Sequence, residues 1–358
     1  MRIDQFDLVR PASVDEACAV LAEHGPEARA ISGGTDLLVR MKQGIVSPRL
    51  VVDVKAIPGL SYIQADGDGG LRIGAATTLR AVEKSAAVRE GFAALAQAAE
   101  RVASVQLRNM GTLGGNICLE TMCWYYNQSR AWKRAKPACT KAGGETCYVA
   151  NRAGICYATY RGDTATALMA LGAGVRLQRQ GGQRIVPLEE FFTGDGQVPN
   201  VLTPGELMTE ILLPAQPAGS RSVYLKLSHR AAVDYPLVAV GAMLAMSGDR
   251  CADARIVLGA EEGRANHALA KELGISRPTL LLWRQRYVDA GVAGLLRDAP
   301  RPGRDPGREP SAAAHRLSPS ARPAFRGWAS RARVPGWRAD RLDAGRRSRA
   351  RRRRSEAG

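Results

Sequence analysis

Asn109-Met110-Gly111-Thr112-Leu113-Gly114-Gly115-Asn116 opens the stretch on which the fold turns, and Tyr160-Arg161-Gly162-Asp163-Thr164-Ala165 closes it. Gly111, Gly114 and Gly115 remove Cβ atoms, permit positive φ and let backbone N–H groups approach an anion such as a pyrophosphate. Thr112 and Asn116 add short polar side chains. Upstream, Arg29-Ala30-Ile31-Ser32-Gly33-Gly34-Thr35-Asp36 is a second such loop, set between a short apolar strand and the apolar run Leu37-Leu38-Val39. Either loop alone reads equally well as a tight turn.

Outward from the loops the chain alternates strand and helix signals. Phe6–Arg10 reads as a strand, and Ser13-Val14-Asp15-Glu16 is a capping box opening a helix with Val14, Ala17, Cys18 and Leu21 on its apolar face. Cys18 there is a core residue. The helix stops at His24-Gly25-Pro26, and strands follow at Ala28–Ser32 and Leu50–Val54. Leu71–Ala76 is a strand leading to a Thr77-Thr78 cap and a helix through Val88, and Arg89–Ala103 is helical by propensity. Beyond Asp163, the expectations are a helix at Thr164–Leu171, a hairpin of Gly174–Gln178 with Arg184–Pro187, and a strand ending near Ile211. A further strand around Tyr224–Leu227, a helix at Pro236–Met246 and a strand at Ala254–Leu258 complete this part.

Between the two halves of the opening stretch lie Cys123, Cys139, Cys147 and Cys156, with Trp124, Tyr125, Tyr126 and Trp132 around the first of them. Seven cysteines and no apolar leader argue against a disulfide framework. On spacing alone, a zinc site, unrelated reduced thiols and a four-thiolate iron–sulfur cluster remain open. Lys133, Arg134, Lys136 and Lys141 could offset a cluster's negative charge.

The paired loops resemble those of the FAD-binding subunits of the molybdenum hydroxylases, the family of xanthine and carbon monoxide dehydrogenases, over roughly residues 1–260. The resemblance implies an α+β fold: FAD-binding lobes at 1–57 and 58–217, then a truncated C-terminal α/β lobe at 218–260. FAD would be held by Arg29, Ala30, Ile31, Ser32, Gly33, Gly34, Thr35 and Asp36 from one loop, and by Gly111, Thr112, Gly114, Gly115 and Asn116 from the other. Asp163 would lie near the adenine-side ribose, Val102 and Met208 against the flavin, and Lys226 beside the flavin ring, where a cation favours the reduced anion. For Asp163 the plainer alternative is a cap on the following helix, and for Val102 and Met208 it is core packing. No catalytic residue is implied.

Forty-six residues separate Asn116 from Asp163, where most relatives have about a dozen, and the surplus at about 119–159 contains the four cysteines. That insertion narrows the resemblance to the β subunits of 4-hydroxybenzoyl-CoA reductases, which carry an inserted [4Fe-4S] cluster; here Cys123, Cys139, Cys147 and Cys156 would be its ligands. Cys118 adjoins the glycine loop and is left out. The implied activity is electron transfer from a ferredoxin-like donor to FAD and onward to a [2Fe-2S] γ subunit and a molybdenum α subunit, in a dimer of heterotrimers. Another molybdenum hydroxylase with the same insertion is the alternative.

The formal net charge of +17 is uneven: residues 1–260 carry 28 Lys+Arg against 24 Asp+Glu, and residues 261–358 carry 23 against 10. Residues 261–304 have helix-turn-helix spacing and resemble the DNA-binding part of insertion-element transposases, while 305–358 is Arg/Pro-rich with too little apolar content to fold. A gene interrupted by an insertion element accounts for that change of register, and nucleic-acid binding by the tail is the rival reading. The longest apolar run, Tyr235–Met246, is far short of the roughly 20 residues of a membrane helix, so the expectation is a cytoplasmic protein with no membrane partner.

Overall fold

The computed structural model describes residues 3–248 and 250–260. Expectations for 261–304 and 305–358 lie outside the described residues. The first layer is a three-stranded parallel sheet. β1 (Asp7–Val9) leads into α1 (Val14–His24), β2 (Ala28–Ile31), α2 (Leu37–Lys42) and β3 (Leu50–Asp53), with strand order β1-β3-β2. α1 starts where the capping box places it: Ser13 Oγ accepts from Glu16 N at 3.2 Å, and Glu16 reaches back to Ala12 N at 2.7 Å. Its apolar stripe, Ala17 and Leu21, packs on Leu50 and Val52, and Cys18 is buried with Sγ donating to Gln178 O.

The chain then forms β4 (Ile63–Asp66) and β5 (Gly70–Gly74) and passes into α3 (Leu79–Lys84), α4 (Ala86–Gly91) and α5 (Ala93–Arg101). The single helix expected through Val88 is two: Ser85 breaks it and caps the second piece by accepting from Val88 N. α6 (Val105–Met110) and α7 (Leu113–Ile117) flank Gly111, and the cysteine segment adds α8 (Arg130–Ala135) and a small pair, β6 (Thr146–Cys147) with β7 (Arg152–Ala153). α9 (Asp163–Ala170), the hairpin β8 (Gly174–Arg179) and β9 (Gly182–Pro187), α10 (Leu188–Phe191) and β10 (Leu207–Leu213) follow. An antiparallel sheet of order β4-β5-β10-β8-β9 results, its tight turn made by Gln180 and the positive-φ Gly181.

The last described elements are β11 (Ser220–Leu227), β12 (Val238–Ser247) and β13 (Arg250–Ala260), an antiparallel meander. The helix expected at Pro236–Met246 is therefore corrected to a strand. Its side chains alternate between buried and partly exposed, and it is paired on both sides, Val240 with Leu225 and with Leu258. Pairing on both edges outweighs the helical propensity of its alanines and methionines. Gly241 matters here: a Cβ would stand 2.5 Å from Thr166 O, so glycine lets α9 press onto the meander. α5 and α9 form the central core with Leu95, Ala98, Leu168, Leu171, Ile211 and Val257.

Candidate functional site

The two glycine loops meet. A Cβ at Gly33 would lie 2.2 Å from Met110 O and 2.7 Å from Gly111 Cα, so the backbones touch where only glycine fits. Ser32 Oγ and Thr112 Oγ1 share a hydrogen bond of 3.0 Å across the junction. The loops differ in what they offer. In the second, Leu113 N donates to Thr77 O, Gly114 N to Ala75 O and Gly115 N to Thr112 Oγ1. In the first, no hydrogen bond among the described residues occupies the N–H groups of Gly33, Gly34 and Thr35, and Gly34 has φ +71°. The first loop thus presents donors to a ligand, and the second fixes its position.

Beside them opens a cavity of about 700 Å³, within the range of small-molecule and cofactor sites. Arg29, Ala30, Ile31, Ser32, Gly33, Gly34, Thr35, Asp36, Val102, Gly111, Thr112, Gly114, Gly115, Asn116, Asp163 and Met208 all line it. Lys226 does not. Its Nζ is 2.9 Å from Asp163 Oδ1 and also donates to Arg101 O and Asp234 O. Tyr224 OH donates to the same carboxylate at 2.7 Å. Burial pushes the Asp163 carboxyl above its usual range, and Lys226 and Tyr224 oppose the shift. Burial also raises Asp36, partly offset by Arg40.

Asp163 is the first residue of α9 and is not its cap. Asn116 does that work from the glycine loop, its Oδ1 accepting from Thr164 N at 3.2 Å and from Thr164 Oγ1 at 2.6 Å. Asn116 O accepts from Tyr160 OH at 2.7 Å, which makes Asn116 the link between both ends of the insertion. Across the cavity, Ala103 and Val233 both hold positive φ, and Val233 N donates to Ala103 O. For a β-branched valine this is a strained conformation at the cavity wall.

Cys123, Cys139, Cys147 and Cys156 line one small second cavity of about 10 Å³, together with Tyr125, Tyr126 and Lys141. Tyr125 stacks on Tyr148 at 5.0 Å and meets Trp132 edge-on at 4.8 Å, forming an aromatic cover. Among the described residues, no group of three or more His, Cys, Asp or Glu side chains is arranged to hold a metal ion. The four thiols supply a donor set common to zinc and iron–sulfur sites. Burial raises the Cys156 thiol, opposed by the Ala158 N–H and by Lys141 on the same cavity.

Residues 4–216 match the family described as the FAD binding domain in molybdopterin dehydrogenase. The chain belongs to this family. Its relatives include the aldehyde oxidoreductase FAD-binding subunit PaoB of Escherichia coli K12, 34% identical over 253 residues, covering 67% of this chain and 77% of PaoB. The carbon monoxide dehydrogenase medium chain of Afipia carboxidovorans is 30% identical over 254 residues, covering 71% and 73%. Among solved structures, the reconstituted CO dehydrogenase from Oligotropha carboxidovorans superposes with TM-score 0.59 at 27% identity, covering 82% of this chain and 87% of that one.

The family membership makes this protein an FAD-binding subunit of the molybdenum hydroxylase type and an oxidoreductase subunit, with the mixed helix and strand fold of the CO dehydrogenase flavoproteins. FAD fits the chain's own geometry: Gly33, Gly34 and Thr35, whose N–H groups make no hydrogen bond among the described residues, line a cavity of about 700 Å³, and a Cβ at Gly115 would meet only Thr112 Oγ1. Residues 254–312 separately match a winged helix-turn-helix, most of it outside the described residues. No helix among the described residues is long and apolar enough to cross a membrane. Sequence reading missed Glu120, Arg161 and Tyr235 in the cavity wall. Arg161 stood beside the recognised Asp163, and its guanidinium lies 5.4 Å from the Tyr235 ring centre. Glu120 and Tyr235 carried no signal of their own.

Proposed function

We propose that this chain is the FAD and [4Fe-4S] electron-transfer subunit of a molybdenum-dependent reductase acting on 4-hydroxybenzoyl-CoA. The observation that carries the reading is the convergence of Cys123, Cys139, Cys147 and Cys156 on one cavity within the insertion that leaves the glycine loop. Bound FAD would supply an exchange between one-electron and two-electron transfer. The chain's residues do the rest. Gly33, Gly34 and Thr35 offer N–H donors to the pyrophosphate, Thr112 locks the loops, Asn116 caps the helix that begins at Asp163, and Tyr224 and Lys226 hold the Asp163 carboxylate. Tyr125, Trp132 and Tyr148 screen the thiols from water. A low-potential, ferredoxin-like donor would deliver electrons at the thiol cavity, and [2Fe-2S] and molybdenum subunits would receive them in a dimer of heterotrimers.

Anaerobically purified protein should carry one FAD and about four iron and four sulfide per chain. Cys139→Ser and Cys147→Ser should each lose most of the iron while keeping FAD, whose loops lie outside the segment. One zinc without labile sulfide would overturn the cluster. A second reading is favoured by the 34% identity to PaoB: the subunit would then serve an aldehyde-oxidising enzyme. Assaying the assembled complex with 4-hydroxybenzoyl-CoA and reduced ferredoxin, against an aromatic aldehyde with an electron acceptor, separates the two.

A further inference from the structure

A chain of partly buried ion pairs joins the two cavities. Glu120 lines the flavin cavity, Lys141 lines the thiol cavity, and Lys141 Nζ stands 2.7 Å from Glu120 Oε1. The same ammonium donates to Thr121 Oγ1 and Gly196 O, and its side chain is only 7% exposed. From the other side, Arg40 NH1 lies 3.4 Å from Glu120 Oε2, and its buried Nε has no partner among the described residues. Arg40 sits in α2, one turn beyond Asp36 of the first glycine loop. Burial alone would raise the Glu120 carboxyl, but Lys141 and Arg40 hold it below the usual range. A lysine in the cysteine segment thus neutralises a carboxylate in the flavin cavity wall.

We propose that Lys141 is a positioning residue that holds a fixed positive charge between the two cavities and sets how readily the bound flavin accepts electrons. The proposal rests on the flavin site and, for its thiol side, on the cluster reading above. Reduction of FAD by two electrons and one proton from solvent gives the flavin anion, one added negative charge within the cavity that Glu120 lines. With Lys141 in place that carboxylate is compensated. Without it, Glu120 keeps Arg40 alone, and the wall carries one positive charge fewer in a medium that screens weakly.

The test is an anaerobic titration of the holoprotein with dithionite and reference dyes, following flavin absorbance. Lys141→Met should shift the oxidised-to-reduced equilibrium about tenfold toward oxidised flavin, ~30 mV for a two-electron couple. Glu120→Gln should shift it the opposite way by a similar factor. The double variant, which removes both charges, should return close to wild type, and Lys141→Arg should remain there. Flavin retained with an unmoved midpoint in both single variants would overturn the proposal. If Lys141→Met loses flavin, the remaining variants decide: recovery of flavin and midpoint in the double variant supports charge compensation, and an unmoved midpoint in Glu120→Gln refutes it. Wild-type protein without flavin would overturn the flavin site itself, and the proposal with it. Iron content in the same samples reports on the cluster separately.

Discussion

Gly33→Ala should open the flavin site with one methyl group. The new Cβ would begin 2.2 Å from Met110 O and 2.7 Å from Gly111 Cα, both backbone atoms on the facing loop. Neither can rotate away as a side chain would, so the loops must separate by about 1 Å to restore van der Waals contact. The Ser32–Thr112 hydrogen bond spans that same junction and would stretch with it. Overpacking of this kind costs ~1–3 kcal/mol, and if most of it falls on the closed form of the site, FAD affinity drops about 5- to 150-fold. Fluorescence titration of deflavinated protein with FAD measures the loss, and thermal unfolding of the apo-protein shows whether the fold survives. Gly67→Ala is the control, because a Cβ there meets nothing within 4 Å. An FAD affinity within twofold of wild type in Gly33→Ala would refute the loop-contact reasoning.

Gly115→Val should abolish FAD binding by filling the cavity side of the second loop and crowding Thr112 Oγ1, 2.9 Å from the built Cβ; absorbance at full flavin occupancy would contradict it. Glu210 is buried, bonded to Tyr62, Arg72 and Arg176, and against burial these partners hold its carboxyl below the usual range. A depressed folded-state pKa means that its stabilisation is fully present above the unfolded value of ~4.3 and is lost as pH falls through the lower folded value. Glu210→Gln should therefore flatten stability against pH in that acid window and cost ~3 kcal/mol at neutral pH, measured by urea unfolding. Deleting residues 263–358 should leave flavin and iron content unchanged, and any DNA binding by the full chain should fade steeply with added salt, as +13 of charge would dictate; salt-resistant binding to one sequence would show a specific winged helix-turn-helix instead.

What could be read from the sequence was mostly local. Gly33 and Gly114 announce close backbone approach because no other residue lacks a Cβ, and Ser13 with Glu16 announces a helix start through bonds only three and four residues long. The segment Pro236–Met246 was ambiguous because its small apolar residues suit helix or strand, and β11 and β13, distant pairing partners, decide it. Lys226 looked available to a ligand because nothing local shows that Asp163, 63 residues away, takes its charge. The Glu120–Lys141 pair was hidden in the same way, across 21 residues and between two walls that only the fold brings together.

Asn116 and the bridge between Met122 and Thr159 have a consequence for how such a protein could arise. Met122 and Thr159 exchange both backbone hydrogen bonds at 2.9 Å, and Asn116 reaches Tyr160 and Thr164 directly. The intervening residues therefore leave and re-enter the flavoprotein at nearly one point. A segment with such adjoining ends behaves as a cassette: its length can change at small entropic cost, because loop closure grows only slowly with length. Evolution could have gained or lost the four cysteines in one step, without rebuilding the walls around Asp163. The same point offers protein engineers a place to exchange one insert for another.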